Sequence, residues 1–181
     1  MTPTKTIESK ADIIEALRMS FEKVANCLIN TPSEILHLNK DEKWSVAENF
    51  DHLIRSTKPV ASALKKNKFF FLPFGISLSG SEEYEILKTN YHLRISQGVT
   101  PPKAYLPLAG DNLSKDKMLT SWKVISEKFP ERISKWSEKD LNRFRVPHPA
   151  LGKVTLRELL FFTIFHNEHH LKRMNIINNF S

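Results

Sequence analysis

Cysteine is almost absent from this chain. Of 181 residues only Cys27 carries a thiol, so no intramolecular disulfide can form, which suits a reducing compartment. Glycine is scarce as well: five residues leave room for few tight turns. No stretch approaches about 18 consecutive apolar residues, and that excludes a membrane-spanning helix. The opening "MTPTKTIESKADIIEALRM" is mixed and charged, with no apolar run ahead of a cleavage site, so no signal peptide is expected and a cytoplasmic setting is. Strand-like alternation of any length is missing, as are internal repeats and low-complexity tracts. So is a recognisable Ser-His-Asp or Cys-His nucleophile; Cys27, beside Leu28 in a helical pattern, reads as core.

Charge of one sign is in excess. The net charge is +7, which raises nucleic acid as a partner. The lysines and arginines are dispersed among acids, however. "KKNK" at 65–68 is the densest cluster, and no nucleic-acid module is recognisable. A solvated basic surface is therefore the expectation, with no nucleic acid and no membrane as partners.

What is present is helical periodicity. Over 9–30, Ile13, Leu17, Phe21, Val24 and Leu28 recur at three- and four-residue steps. A second helix starts at a capping box, Ser45 with Glu48, and carries Val46, Phe50, Leu53, Thr57, Val60 and Leu64 on one stripe. Pro59 predicts a kink or an early stop there. A third helix follows Ser114, with Met118, Trp122, Ile125, Phe129 and Ile133 on one face and a bend at Pro130. A fourth opens at a second capping box, Thr155 with Glu158, and runs to about Asn178. The expected fold is all-α: one domain over 1–181, an antiparallel four-helix bundle. Between helices 2 and 3 lies a long, partly irregular connection, 67–113, holding a short helix at about 81–95. Its Phe69, Phe70, Phe71, Phe74 and Tyr105 are too aromatic for a bare linker, and it is expected to lie over a site as a wall or lid.

The segment "FTIFHNEHHLKRM" places His166, His169 and His170, three of the seven histidines, within five residues of the last helix. At about 100° per residue, with Leu159 at zero, His166 falls near −20° and His170 near +20°, while His169 lies about 80° away. Two imidazoles one turn apart on a buried stripe can chelate one ion. A third ligand must come from another helix. His37, His52, His92 and His148 are all available. His52 is the one well inside a long helix, yet it lies about 100° from Leu53, so periodicity permits it without selecting it.

The stretches "KWSVAENFDHLIRSTKPV" and "VPHPALGKVTLRELLFFTIFHNEHHLKRM" resemble two signature regions of the DinB-like superfamily, the YfiT type regarded as metal-dependent hydrolases. The shared features are a Trp-Ser start and a His-Leu pair on helix 2, and a Thr-Leu start and His-x-x-x-His on the last helix. The resemblance covers most of the chain outside 67–113. It implies a four-helix bundle that holds a divalent ion (Zn, Ni, Fe, Cu or Mn) through His52, His166 and His170. It also implies a thiol S-transferase or hydrolase type of activity on a small electrophile, with a low-molecular-weight thiol as partner. A non-catalytic, stress-related metal-binding or interaction protein of the same fold is the alternative. Three neutral imidazoles leave an ion its full charge and open positions, which suits catalysis rather than structure. Such an ion lowers the pKa of a water or thiol that it binds. Glu48 and Glu168 are expected to be spent on the cap and on solvent. His148, between Pro147 and Pro149 just before the ligand helix, is a candidate for a supporting role. Phe161, Phe165 and Ile176 lie on the opposite face of the last helix; they are covered either by 67–113 or by a homodimer contact.

Overall fold

A computed structural model describes residues 6–39, 43–108 and 113–179. The N-terminal stretch 1–5, parts of two connections (40–42 and 109–112) and 180–181 lie outside the described residues. Seven helices are described: α1 (Lys10–Asn30), α2 (Val46–Ala63), α3 (Tyr84–Ser96), α4 (Lys115–Ser126), α5 (Lys128–Ser134), α6 (Glu138–Arg143) and α7 (Leu156–Asn178). Two strands, β1 (Arg145–His148) and β2 (Gly152–Thr155), sit between α6 and α7, and short 3-10 turns cover Lys68–Phe74 and Lys103–Tyr105. Among the described residues no helix is long and apolar enough to cross a membrane.

The bundle is built from α1, α2, the α4–α5 pair and α7, with α1 and α2 each packed against both α4 and α7. The expected apolar stripes meet at its centre: Ile13, Leu17, Val24 and Leu28 are buried with Phe50, Leu53, Trp122 and Ile133. Trp122 sits edge-on to Phe21 (ring centroids 5.2 Å) and donates its indole N–H to the Phe21 carbonyl (3.0 Å). Helix ends are satisfied by side chains from neighbours. Lys115 Nζ donates to the Ile29 and Thr31 carbonyls at the end of α1, and Trp136 Nε1 to the Leu64 carbonyl at the end of α2. Both expected capping boxes form: Ser45 Oγ accepts from Glu48 N while Glu48 accepts from Ser45 N, and Thr155 and Glu158 do the same.

Of the two outcomes expected at Pro59, the early stop does not occur, since α2 continues to Ala63. Two other local expectations need correction. The third helix is not continuous: it breaks at Glu127, where Pro130 has no N–H to offer the Ser126 carbonyl, so α4 stops and α5 restarts with Pro130 in its first turn. The connection read as free of strands contains a hairpin, with Arg145 opposite Thr155 and His148 opposite Gly152. Gly152 takes φ of 75° at the turn, a conformation that costs a side-chain-bearing residue. Thr155 then serves both as the last ladder residue and as the N-cap of α7.

The long connection is stapled to α7 rather than free. Glu158 accepts from the Glu82 amide (2.6 Å), Ser81 Oγ and Thr155 Oγ1 share a hydrogen bond (2.7 Å), and Lys88 pairs with Glu168 (3.1 Å). Glu168 is thus an interhelix partner and not merely solvated. Tyr84 packs edge-on against Phe161 and Tyr91 packs against Phe165, so the outer aromatic face of α7 is covered by α3. That closes Phe161 and Phe165 to a dimer contact; only Ile176 of that face is exposed.

Candidate metal centre

His52 comes from the middle of α2, and His166 and His170 from successive turns of α7. All three are buried, and their ligand nitrogens lie within 4.8 Å of one another. Among the described residues this is the one such group of His, Cys, Asp or Glu. The other histidines proposed as third ligands stand apart from it: His92 lies against Tyr91 and His169, and His37 is half-buried in the connection after α1.

The tautomers follow from the hydrogen bonds. His52 Nδ1 donates to the Tyr105 carbonyl (2.7 Å). A carbonyl can only accept, so the proton is on Nδ1 and the Nε2 lone pair is free. His170 Nδ1 meets Asn49 Oδ1 at 2.7 Å. The Asn49 amide nitrogen is committed to the Trp44 and Ser45 carbonyls (2.9 and 2.8 Å), which identifies the other atom as the acceptor and leaves His170 Nε2 unprotonated. His52 Nε2 and His166 Nε2 stand 3.1 Å apart. Two nitrogens each about 2.0–2.1 Å from one zinc ion, about 90–110° apart, lie about 2.9–3.4 Å from each other. The donor set therefore fits a divalent ion in chemistry and in spacing. Outer partners that fix ring orientation are also present, in the Tyr105 carbonyl and Asn49.

The rings are further held by aromatic contacts. Trp44 stacks on His170 (6.0 Å, 15°) and Phe162 on His166 (4.7 Å, 22°), while Tyr91 meets His166 edge-on (6.2 Å). Burial pushes the basicity of all three imidazoles down. For His166 and His170 the fall is large, reinforced by the potential charge of His52 on His166 and of His166 and His52 on His170. Neutral imidazole is the form a metal requires.

The site opens into a cavity of about 380 Å³. Its walls come from α2, α7, the hairpin and the second half of the long connection, including Tyr91, Ile95, Pro101, Pro102 and Tyr105. The connection thus forms a wall of the site, but not through the phenylalanines that suggested it. Phe71 is buried against Trp136 and Phe144 instead, and Phe69 is 78% exposed. Asp51 pins this wall to α2, accepting from Arg55 Nε (2.6 Å) and from the Leu108 amide (2.9 Å), three residues beyond Tyr105. Asp51→Ala should cost about 1 kcal/mol, because the part-buried hydrogen bond from the Leu108 amide is lost while Leu108 itself is exposed. Denaturant unfolding together with faster hydrogen exchange at Leu108 checks this; unchanged exchange would mean the wall is held by other contacts.

His148 lines the same cavity. Its Nδ1 accepts from the Ala150 and Leu151 amides (3.3 and 3.2 Å), and its ring lies 4.2 Å from that of Phe162. It reaches His166 through Phe162 rather than by a hydrogen bond. Burial lowers its pKa to about 4. His169, turned toward Tyr91 and His92, is also lowered to about 4 by burial and by Arg173. Asn49, the Tyr105 carbonyl, Trp44, Phe162 and Tyr91 were not anticipated. Asn49 carried a signal: it lies four residues before Leu53 on the buried stripe, and a buried amide needs partners.

The depressed imidazoles make a pH prediction. Between the ordinary value of 6.5 and about 4, the unfolded chain binds protons that folded His148 and His169 do not, so stability falls as pH drops through that window. Thermal unfolding of chelator-treated protein should show Tm falling from pH 6.5 to 4, with a shallower slope in His148→Gln. Carboxylates held low, such as Asp140 beside Lys68 and Glu131 beside Lys135, start from 3.8 and 4.5, so they act at the lower end of that window and below it. A flat Tm across the window would contradict neutral buried imidazoles.

Comparison with known proteins agrees with this architecture. A relative from Bacillus subtilis (strain 168), described as the uncharacterized protein YuaE, is 26% identical over 136 residues, 75% of this chain and 78% of that protein. The crystal structure of TT2238, a four-helix bundle protein, superposes with a TM-score of 0.60 at 15% identity. That match covers 93% of this chain and 99% of the other, a likeness of fold. The family model of the DinB superfamily matches residues 13–174, a span that begins in α1, ends in α7 and includes all three clustered histidines. On that match over most of its length, this chain belongs to the DinB superfamily.

Proposed function

We propose that this protein is a divalent-metal-dependent enzyme that activates a small thiol, or water, for attack on an electrophile held in the cavity. The observation that carries the reading is the placement of three buried imidazoles, with no fourth His, Cys, Asp or Glu grouped with them among the described residues, at the wall of a 380 Å³ cavity. A purely structural site would be expected to be closed by a fourth protein ligand. A divalent ion there supplies a Lewis acid that lowers the pKa of a thiol or water reaching it.

The chain's own residues supply the rest. His52, His166 and His170 would hold the ion, with the tautomer of His52 set by the Tyr105 carbonyl and that of His170 by Asn49. Trp44, Phe162 and Tyr91 exclude bulk water around the rings, which strengthens every electrostatic interaction inside. The apolar walls bind the body of the electrophile. A free thiol has a pKa of about 8.5, so only a few per cent is thiolate at pH 7; a thiol whose pKa is lowered escapes that limit.

The test is thiol consumption against a generic electrophile with a panel of small thiols. It compares metal-loaded, chelator-treated and His170→Ala protein. Acceleration in the metal-loaded protein alone is expected. Equal rates in all three, across the panel and in a parallel ester-hydrolysis assay, would favour a binding protein of the same fold.

A further inference from the structure

The cavity has an electrostatic asymmetry that the metal ligands do not explain. No Asp or Glu lines it, whereas Arg173 does, on the turn of α7 that follows His170. Arg173 is exposed, and among the described residues no carboxylate pairs with it. Three arginines elsewhere in the fold are paired with carboxylates, Arg18 with Glu15 and Glu22, Arg55 with Asp51 and Arg157 with Glu138, but none of these three lines the cavity. A neutral donor among the lining residues is on His148. Its Nδ1 is occupied by two turn amides, so the ring's proton is on Nε2, and that donor has no partner among the described residues. Ser56, by contrast, spends its hydroxyl on the His52 and Leu53 carbonyls. Most of the remaining surface is apolar, from residues such as Val60, Ile95, Leu159 and Phe162.

A mostly apolar cavity with one arginine, a few neutral donors such as His148, Thr100 and Tyr105, and no acid complements a particular ligand class. A cationic ligand finds no counter-charge, and a purely apolar one leaves the guanidinium unused. A carboxylate matches the guanidinium fork in charge and geometry. We propose that the cavity takes small molecules carrying a carboxylate on an apolar body, and that Arg173 selects them by pairing with that carboxylate. His148 adds a hydrogen bond and no charge. The inference rests on reading this cavity as the substrate site, and it adds the substrate class and a specificity residue.

The test uses 4-phenylbutyrate and its primary amide, alike in shape and different in charge. Binding of each is measured by calorimetry or ligand-observed NMR at pH 7.5, to zinc-loaded and to chelator-treated protein, with zinc content determined on the same samples. The carboxylate should bind at least about tenfold tighter than the amide, in both protein forms. Arg173→Gln should remove that preference while leaving zinc content and amide binding unchanged, and Arg173→Lys should keep part of it. Because the side chain is exposed, the fold should be unaffected, which circular dichroism checks. Preference that survives in Arg173→Gln, absence of preference, or binding of neither compound would overturn the proposal. Preference that depends on Arg173 in protein that takes up no zinc would leave this inference standing and remove the metal reading. Zinc-loaded protein without preference would do the reverse.

Discussion

Replacing His166 or His170 with alanine should abolish stoichiometric metal binding, while His169→Ala should retain it. All three histidines lie within five residues of one helix, so composition and local charge change alike in the three variants. What separates them is direction. His166 and His170 present nitrogens to His52 across the α2–α7 interface, whereas His169 faces Tyr91 and His92. Losing one of three neutral ligands should take uptake from about one equivalent to none at micromolar zinc, since two imidazoles hold an ion weakly. Metal analysis after equilibrium dialysis of tag-free protein reads this directly. If His169→Ala lost metal as fully as His166→Ala, the histidine-rich turn would be binding as an exposed cluster and the buried triad would be wrong.

The second large effect belongs to a residue that touches no ion. Asn49 makes three hydrogen bonds: Oδ1 accepts from His170, and the amide nitrogen donates to the Trp44 and Ser45 carbonyls. Asn49→Ala should lower metal affinity about 10–100-fold, the usual cost of losing a partner that orients a ligand. It should also cost about 1–3 kcal/mol of stability from the groups left unpaired. Asn49→Asp separates the two roles. Its carboxylate still accepts from His170, so affinity should stay near the parent value, but it cannot donate to the two carbonyls and stability should fall. Competition with a chromophoric chelator gives the affinities and urea unfolding the stabilities. Parent-like affinity in Asn49→Ala would show that packing by Trp44 orients His170 unaided.

These two residues mark how far the sequence carries. The long helices were legible because apolar residues recurred at helical spacing along each, glycines were few, and a capping box marked two of the starts. His166 and His170 were legible because they fall on the centre of an apolar stripe. His52 was not selected by its spacing; it sits on the flank of α2 because the cavity lies beside the core rather than in it, and the family resemblance supplied it. Tyr105 was counted only as an aromatic. Its part in the site is played by a backbone carbonyl, which no side-chain pattern reveals. The hairpin escaped notice because its strands have four residues each and Pro147 and Pro149 obscure any alternation. The phenylalanines of 69–74 pointed to a buried wall, but aromatic content does not say which surface is covered. Phe71 seals the hairpin side, while α3 and the Pro101–Pro102 stretch wall the cavity.

The covered face of α7 changes the expectation for assembly. Phe161 and Phe165 are 2% and 1% exposed, so a dimer built on them would first have to displace α3. Tyr84 and Tyr91, together with the Lys88–Glu168 pair, hold that helix in place. The same clamp fixes Tyr91 at the cavity, which ties the outer packing of α7 to the shape of the site.

The central claim is that His52, His166 and His170 hold one divalent ion at the cavity wall. Zinc X-ray absorption on tag-free protein, loaded to saturation by dialysis, tests it most directly. The account predicts one equivalent per chain and a first shell with three imidazole nitrogens at about 2.0–2.1 Å plus at least one light atom from outside the protein. Less than about a tenth of an equivalent at saturating zinc, or a shell containing sulfur or fewer than three imidazoles, would contradict it.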